Sequence, residues 1–128
     1  MFWLVTWKVR LGFAGSFRAF GRSMEPVIPS GSRVTIESVA ADKIEPGDIV
    51  VARVGDSTML HLVKTIDAGG RRAEISGTSG PANGWTPLVR VYGICTRIGD
   101  ASVPGSDEKI RRHRFGGKIG RRRYVVER

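Results

Sequence analysis

Met59-Leu60-His61-Leu62-Val63-Lys64-Thr65-Ile66 is the stretch on which the fold turns. Side chains of an extended chain point to opposite faces in alternation, so Met59, His61, Val63 and Thr65 share one face and Leu60, Leu62, Lys64 and Ile66 the other. Working outward, Arg33 to Ser38, Ile49 to Val54, Arg71 to Ser76 and Leu88 to Ile98 are also rich in Val, Ile and Thr, the residues that suit a pleated surface.

Turn chemistry separates these runs at close spacing. Pro29-Ser30-Gly31 suits a type I turn, and Glu45-Pro46-Gly47-Asp48 puts Pro and Gly where a type II turn wants them. Ala68-Gly69-Gly70 closes a hairpin between Met59–Ile66 and Arg71–Ser76. With no internal repeat and no long helical periodicity, the chain reads as all-β, a mainly antiparallel sheet with short irregular or helical termini.

Length allows one domain with tails: 128 residues hold one hydrophobic core but not two of ordinary size. The expected division is residues 1–19, 20–100 and 101–128. Residues 1–20 carry Phe2, Trp3, Trp7, Phe13, Phe17 and Phe20 among basic residues. They read either as an amphipathic piece making peripheral membrane contact or as a first strand packing its odd-numbered apolar positions on the core. No stretch approaches the roughly 18 uninterrupted apolar residues of a membrane-spanning helix, so no transmembrane anchor is expected. The apolar start also precedes its charges rather than following them, unlike a secretory leader.

Charge is uneven. Residues 107–128 hold nine Lys or Arg against Asp107, Glu108 and Glu127, which accounts for +6 of the net +9. Such a tail could meet an anionic membrane surface or nucleic acid, but charge runs are more often solvated, and nucleic acid is not the expected partner of the body. The single cysteine, Cys95, can form no internal disulfide and has no ligand neighbours, so it reads as a core thiol. Neither metal nor cofactor is expected.

Chemistry concentrates in Gly21-Arg22-Ser23-Met24-Glu25-Pro26. A serine between a permissive glycine and a rigid proline can be held exposed on a fixed backbone, although most serines in turns are structural. A serine nucleophile needs a base, either His or a Lys kept neutral by burial. His113 lies beside Arg112 and Arg114 and reads as solvated; His61 sits within the alternating strand. Alone, His61 would pass for a satisfied sheet histidine.

Together these segments, over about residues 20–98, resemble the signal peptidase I group and its relatives among the self-cleaving SOS repressors. Gly21-Arg22-Ser23-Met24-Glu25-Pro26 is similar to the family's Gly-x-Ser-Met-x-Pro nucleophile box, and Pro29-Ser30-Gly31-Ser32 stands where many members have a Pro-x-Gly-Asp turn. Pro46-Gly47-Asp48-Ile49-Val50-Val51 resembles the Gly-Asp turn that enters an apolar strand, and the next strand carries the base. His-Leu-Val-Lys at 61–64 is similar to the His-Arg-Val-Val of the histidine-base branch.

The resemblance implies a small coiled-β signal-peptidase-like fold and a serine endopeptidase that cleaves a leader or signal segment from a polypeptide. Ser23 would be the nucleophile and His61 the base, with Lys64 as a fallback base that needs a bulge to reach the serine. The backbone N–H of Ser23 would serve the oxyanion. Substrate would bind as an extended strand, with small residues before the cut, against an apolar wall of Met24, Ile28 and Val34. Histidine-type relatives orient the base with an aspartate in a Gly-Asp-x-Asn stretch; here Ser76-Gly77-Thr78-Ser79-Gly80-Pro81-Ala82-Asn83 puts Thr78 in that slot, so Thr78 or Ser79 would orient His61 or the third member is absent. The alternatives are a catalytically impaired peptide-binding relative and a peptidase fold whose basic tail does the binding. Processing of signal peptides would place the protein at a membrane; otherwise it would be soluble and cytoplasmic.

Overall fold

The computed structural model describes residues 14–106. The expectations for residues 1–13 and for the basic tail 107–128 lie outside the described residues. Eight strands form one sheet: β1 (Gly15–Ala19), β2 (Ser32–Glu37), β3 (Ile49–Val54), β4 (Ser57–Asp67), β5 (Arg72–Ser76), β6 (Gly84–Pro87), β7 (Val91–Ile98) and β8 (Ala101–Ser102). Their order is β1-β2-β7-β3-β4-β5-β6, with β8 added to β7, and every pairing is antiparallel. The helical elements with both ends described are single 3₁₀ turns at Ala41–Lys43 and Leu88–Arg90, and Ser106, the last described residue, is also helical. None is long or apolar enough to cross a membrane.

β3 is the hinge of the packing. Ile49-Val50-Val51-Ala52 is an unbroken apolar run because both faces of the strand are covered: Ile49 and Val51 enter one core cluster with Met24, Ile28, Val34, Ile36 and Cys95. Val50 and Ala52 enter a second with Val63, Ala73, Ile75 and Val91. The sheet curls enough for β6 to return over β3, where the buried Thr86 hydroxyl donates to the carbonyl of Arg53 at 2.5 Å. That bond satisfies a polar side chain inside the core, which would otherwise be costly to bury.

The turn at 45–48 is type II, with Gly47 at φ 94° and the Asp48 N–H donating to the Glu45 carbonyl. Its backbone also docks on β4, since Gly47 N–H donates to the Val63 carbonyl and Val63 N–H to that of Asp48. The Asp48 carboxylate, fully buried, accepts the Glu45 N–H at 2.8 Å. At the 29–32 turn, however, Gly31 at the third position has φ 91° with Ser32 N–H bonded to the Pro29 carbonyl. This is the type II geometry, not the expected type I, because a glycine there makes the positive φ free of cost. In the β4–β5 hairpin, Gly70 N–H and then the Arg72 guanidinium hold the Asp67 carboxyl below its ordinary value.

Three features depart from the simple alternation. A bulge at Lys64 leaves that residue without a partner between Val63↔Ile75 and Thr65↔Glu74, so Val63 and Ile66 both pack into the second cluster instead of facing opposite ways. β6 was not evident in the sequence. The third lies at the two ends: β1 pairs along all of Gly15–Ala19, sending Phe17 and Ala19 toward the first cluster, and Val103 and Ser106 are buried after β8.

Ile36, 0% exposed in the first cluster, should tolerate truncation poorly. Ile36→Ala is expected to cost about 2–5 kcal/mol, read as a lowered urea midpoint at unchanged m-value.

Candidate active site

Ser23 lies in the loop between β1 and β2, whose path is set by local bonds. Glu25 N–H donates to Arg22 O and Ile28 N–H to Met24 O. Gly21, at φ 114°, presents its N–H to the Ser30 hydroxyl at 3.0 Å. Met24 and Ile28 anchor the loop from below, 5% and 2% exposed in the first core cluster, while Ser23 itself stays exposed.

His61 is on β4, opposite Val50 of β3, and half-buried. Its Nε2 is 2.9 Å from Ser23 Oγ, and its Nδ1 is 2.7 Å from Asn83 Oδ1. An amide oxygen can only accept, so Nδ1 carries the proton and the Nε2 lone pair faces the serine hydroxyl. That is the tautomer a general base requires. Serine, histidine and asparagine thus form one hydrogen-bonded line.

Thr78 stands elsewhere than expected. Its N–H donates to Ser23 O at 2.9 Å, and its hydroxyl is directed at Glu25 O (2.6 Å) and Ser23 O (3.2 Å). With its one proton given to backbone carbonyls, Thr78 holds the serine loop rather than the histidine. Asn83, not Thr78 or Ser79, meets Nδ1. The backbone of Asn83 is fixed in turn by its N–H bond to Ile75 O at 2.7 Å, immediately before β6.

The Lys64 bulge required for the fallback base exists, but Lys64 is exposed and does not line the cleft. Of the three residues expected in the apolar wall, two line the cleft. Met24 and Ile28 line the cleft beside Ser23 and His61; Val34, 0% exposed and paired with Phe17 and Ile98, is covered by its neighbours and reaches no cleft surface.

The cleft has a volume of about 310 Å³. One side is the end of β1 with Phe17, Ala19 and Phe20, the other is Thr58 to His61 of β4, and the floor is Met24 and Ile28. Phe20 at the rim is 78% exposed. β5 pairs with β4 only from Leu62 onward, so among the described strands Ser57–His61, the half of β4 that lines the cleft, is paired on its β3 side alone. Among the described residues no group of His, Cys, Asp and Glu is placed to hold a metal ion.

Sequence did not point to Asn83, because the Gly-Asp-x-Asn pattern laid on Gly77-Thr78-Ser79-Gly80 puts its Asn at Gly80, three residues earlier. An amide just ahead of a strand start was the available signal. The cysteine is no rival nucleophile: Cys95 is buried among aliphatic side chains and burial pushes its thiol up to about 12. Native protein is expected to resist iodoacetamide at pH 8 and to react fully once denatured, as followed by intact mass.

A model of the Peptidase S24-like family matches residues 5–74, more than half of the chain. The match includes Ser23 and His61 and ends before Thr78 and Asn83. No curated protein and no solved structure matches the chain.

Proposed function

This chain belongs to the Peptidase S24-like family, and from that premise we propose that it is a serine endopeptidase of the signal-peptidase type, of the histidine-base kind, removing a leader or signal segment from another polypeptide. The observation that carries the reading is the line Ser23 Oγ–His61 Nε2, His61 Nδ1–Asn83 Oδ1, at 2.9 and 2.7 Å. His61 takes the Ser23 proton as Oγ attacks the scissile carbonyl, and the tetrahedral oxyanion is met by the Ser23 backbone N–H. The imidazolium then gives its proton to the leaving amine, and water, activated by the same nitrogen, releases the acyl group from Ser23.

Asn83 keeps the ring and its tautomer in place but adds no negative charge to stabilise the imidazolium. The site therefore works as a dyad with a neutral orienting partner, as in other His-Asn pairings.

The open edge of β4 beside His61 supports an extended polypeptide as substrate. A peptide laid there can pair its backbone with β4 and drop alternate side chains onto Met24, Ile28 and Phe17. Substrate in trans is favoured over self-cleavage at Ala14-Gly15. Gly15 is paired with Ile36 at the far end of β1, and four residues of strand at roughly 3.3 Å each separate it from Ala19 in the cleft.

Ser23→Ala is expected to abolish both labelling by a fluorophosphonate and cleavage of a leader peptide. His61→Ala should lower the cleavage rate by about 10²–10⁴-fold with the fold retained by circular dichroism. Labelling of wild type and of His61→Ala at equal rates would remove the base assignment; binding of leader peptides without any labelling would make the protein a peptide-binding relative.

Asn83→Ala should act mainly on the rate constant, lowering kcat by about ten-fold or more with little change in KM, because the ring is freed while the substrate wall is intact. A change confined to KM would assign Asn83 to substrate binding.

A further inference from the structure

Ser23 and His61 sit on a loop and a strand that do not adjoin in sequence, and one segment touches both. Residues 77–83 contact the serine loop through Thr78 and the histidine ring through Asn83. We infer that this segment sets the Ser23–His61 distance, with Thr78 as the positioning residue on the nucleophile side. The inference rests on the peptidase reading above.

Three bonds converge on two carbonyls that bracket Met24: the N–H and hydroxyl of Thr78 on Ser23 O, and the hydroxyl on Glu25 O. Fixing the Ser23 carbonyl fixes the backbone from which Oγ projects. The approach is close enough to exclude a side chain at the preceding residue, since a Cβ on Gly77 would lie 2.6 Å from Ser23 O. At the other end, Asn83 is tied to β5 by its bond to Ile75 O, so the segment is closed at its base and cannot drift with respect to the sheet. Met24 and Ile28 hold the serine loop against the core from below, but neither orients the Ser23 carbonyl. Thr78 does.

Thr78→Val keeps shape and removes the hydroxyl donor; Thr78→Ser keeps the donor. The full chain carrying each is compared with wild type for fluorophosphonate labelling rate, for kcat and KM on a leader peptide, and for the imidazole ¹H and ¹⁵N resonances of His61. Thr78→Val should lose about ten-fold or more in labelling rate and kcat with KM little changed, as expected when a reacting group is slightly misplaced. Its Nε2 resonance should move toward that of Ser23→Ala. Thr78→Ser should stay close to wild type in all three. Wild-type values in folded Thr78→Val, or an equal loss in Thr78→Ser, would overturn the inference.

Gly77→Ala supplies an independent disturbance, because it retains the Thr78 hydroxyl yet presses a methyl group on Ser23 O. It should show the same Nε2 displacement, and serves if Thr78→Val does not fold. Should wild type neither cleave nor label, the peptidase reading fails. The resonances still decide the positioning role: movement toward Ser23→Ala upholds it and coincidence with wild type rejects it.

Discussion

The hydrogen bond between Ser23 Oγ and His61 Nε2 spans 38 residues of chain, and much of the sheet exists in the form that makes it possible. His61 is placed by the β3–β4 ladder and by the Gly47 and Asp48 backbone bonds to Val63 two residues on. The serine loop is placed by Met24 and Ile28 in the first core cluster. Neither anchoring alone determines the 2.9 Å separation, because the two elements approach from different parts of the sheet. The segment between β5 and β6 closes that gap, and its own position depends on the curl that the Thr86–Arg53 bond records.

A carboxylate behind the histidine would favour the imidazolium by charge, whereas an asparagine oxygen offers only a dipole and a direction. The site thus depends more on geometry than on field. This agrees with how much of the local structure is devoted to backbone placement: a glycine at 77 that permits contact, a threonine whose hydroxyl is given entirely to carbonyls, and an asparagine whose N–H is committed to β5. The cleft floor is the surface of the first core cluster itself, so Met24 and Ile28, which line the cleft, also hold the Ser23 loop in place.

Most of the strands were legible because β-branched runs between Gly-Pro turns carry a strong local signal: β3 spans Ile49–Val54 as read, and β2, β4 and β5 differ only at their ends. β6 was not, since Gly84-Trp85-Thr86-Pro87 is short, and its glycine and proline look like loop residues until β5 supplies an edge to pair with. The Lys64 bulge left no trace in the alternation because it shifts register without changing residue types. Val34 was placed on a cleft wall by the family resemblance, which does not tell which strand residues a neighbouring loop or strand covers. Ser23 and His61 could be singled out from motif and order, but Asn83 could not, as only the course of the 77–83 loop brings it to His61 and turns Thr78 to the Ser23 and Glu25 carbonyls.

This arrangement limits what residue 78 can be. The Thr78 side chain faces the carbonyl oxygens of Ser23 and Glu25 at hydrogen-bonding distance. An aspartate side chain would set acceptor against acceptor, with no proton between them at neutral pH. The threonine at 78 and the asparagine at 83 are therefore coupled through one loop: an acid at 78 would be accommodated only with the serine loop re-routed.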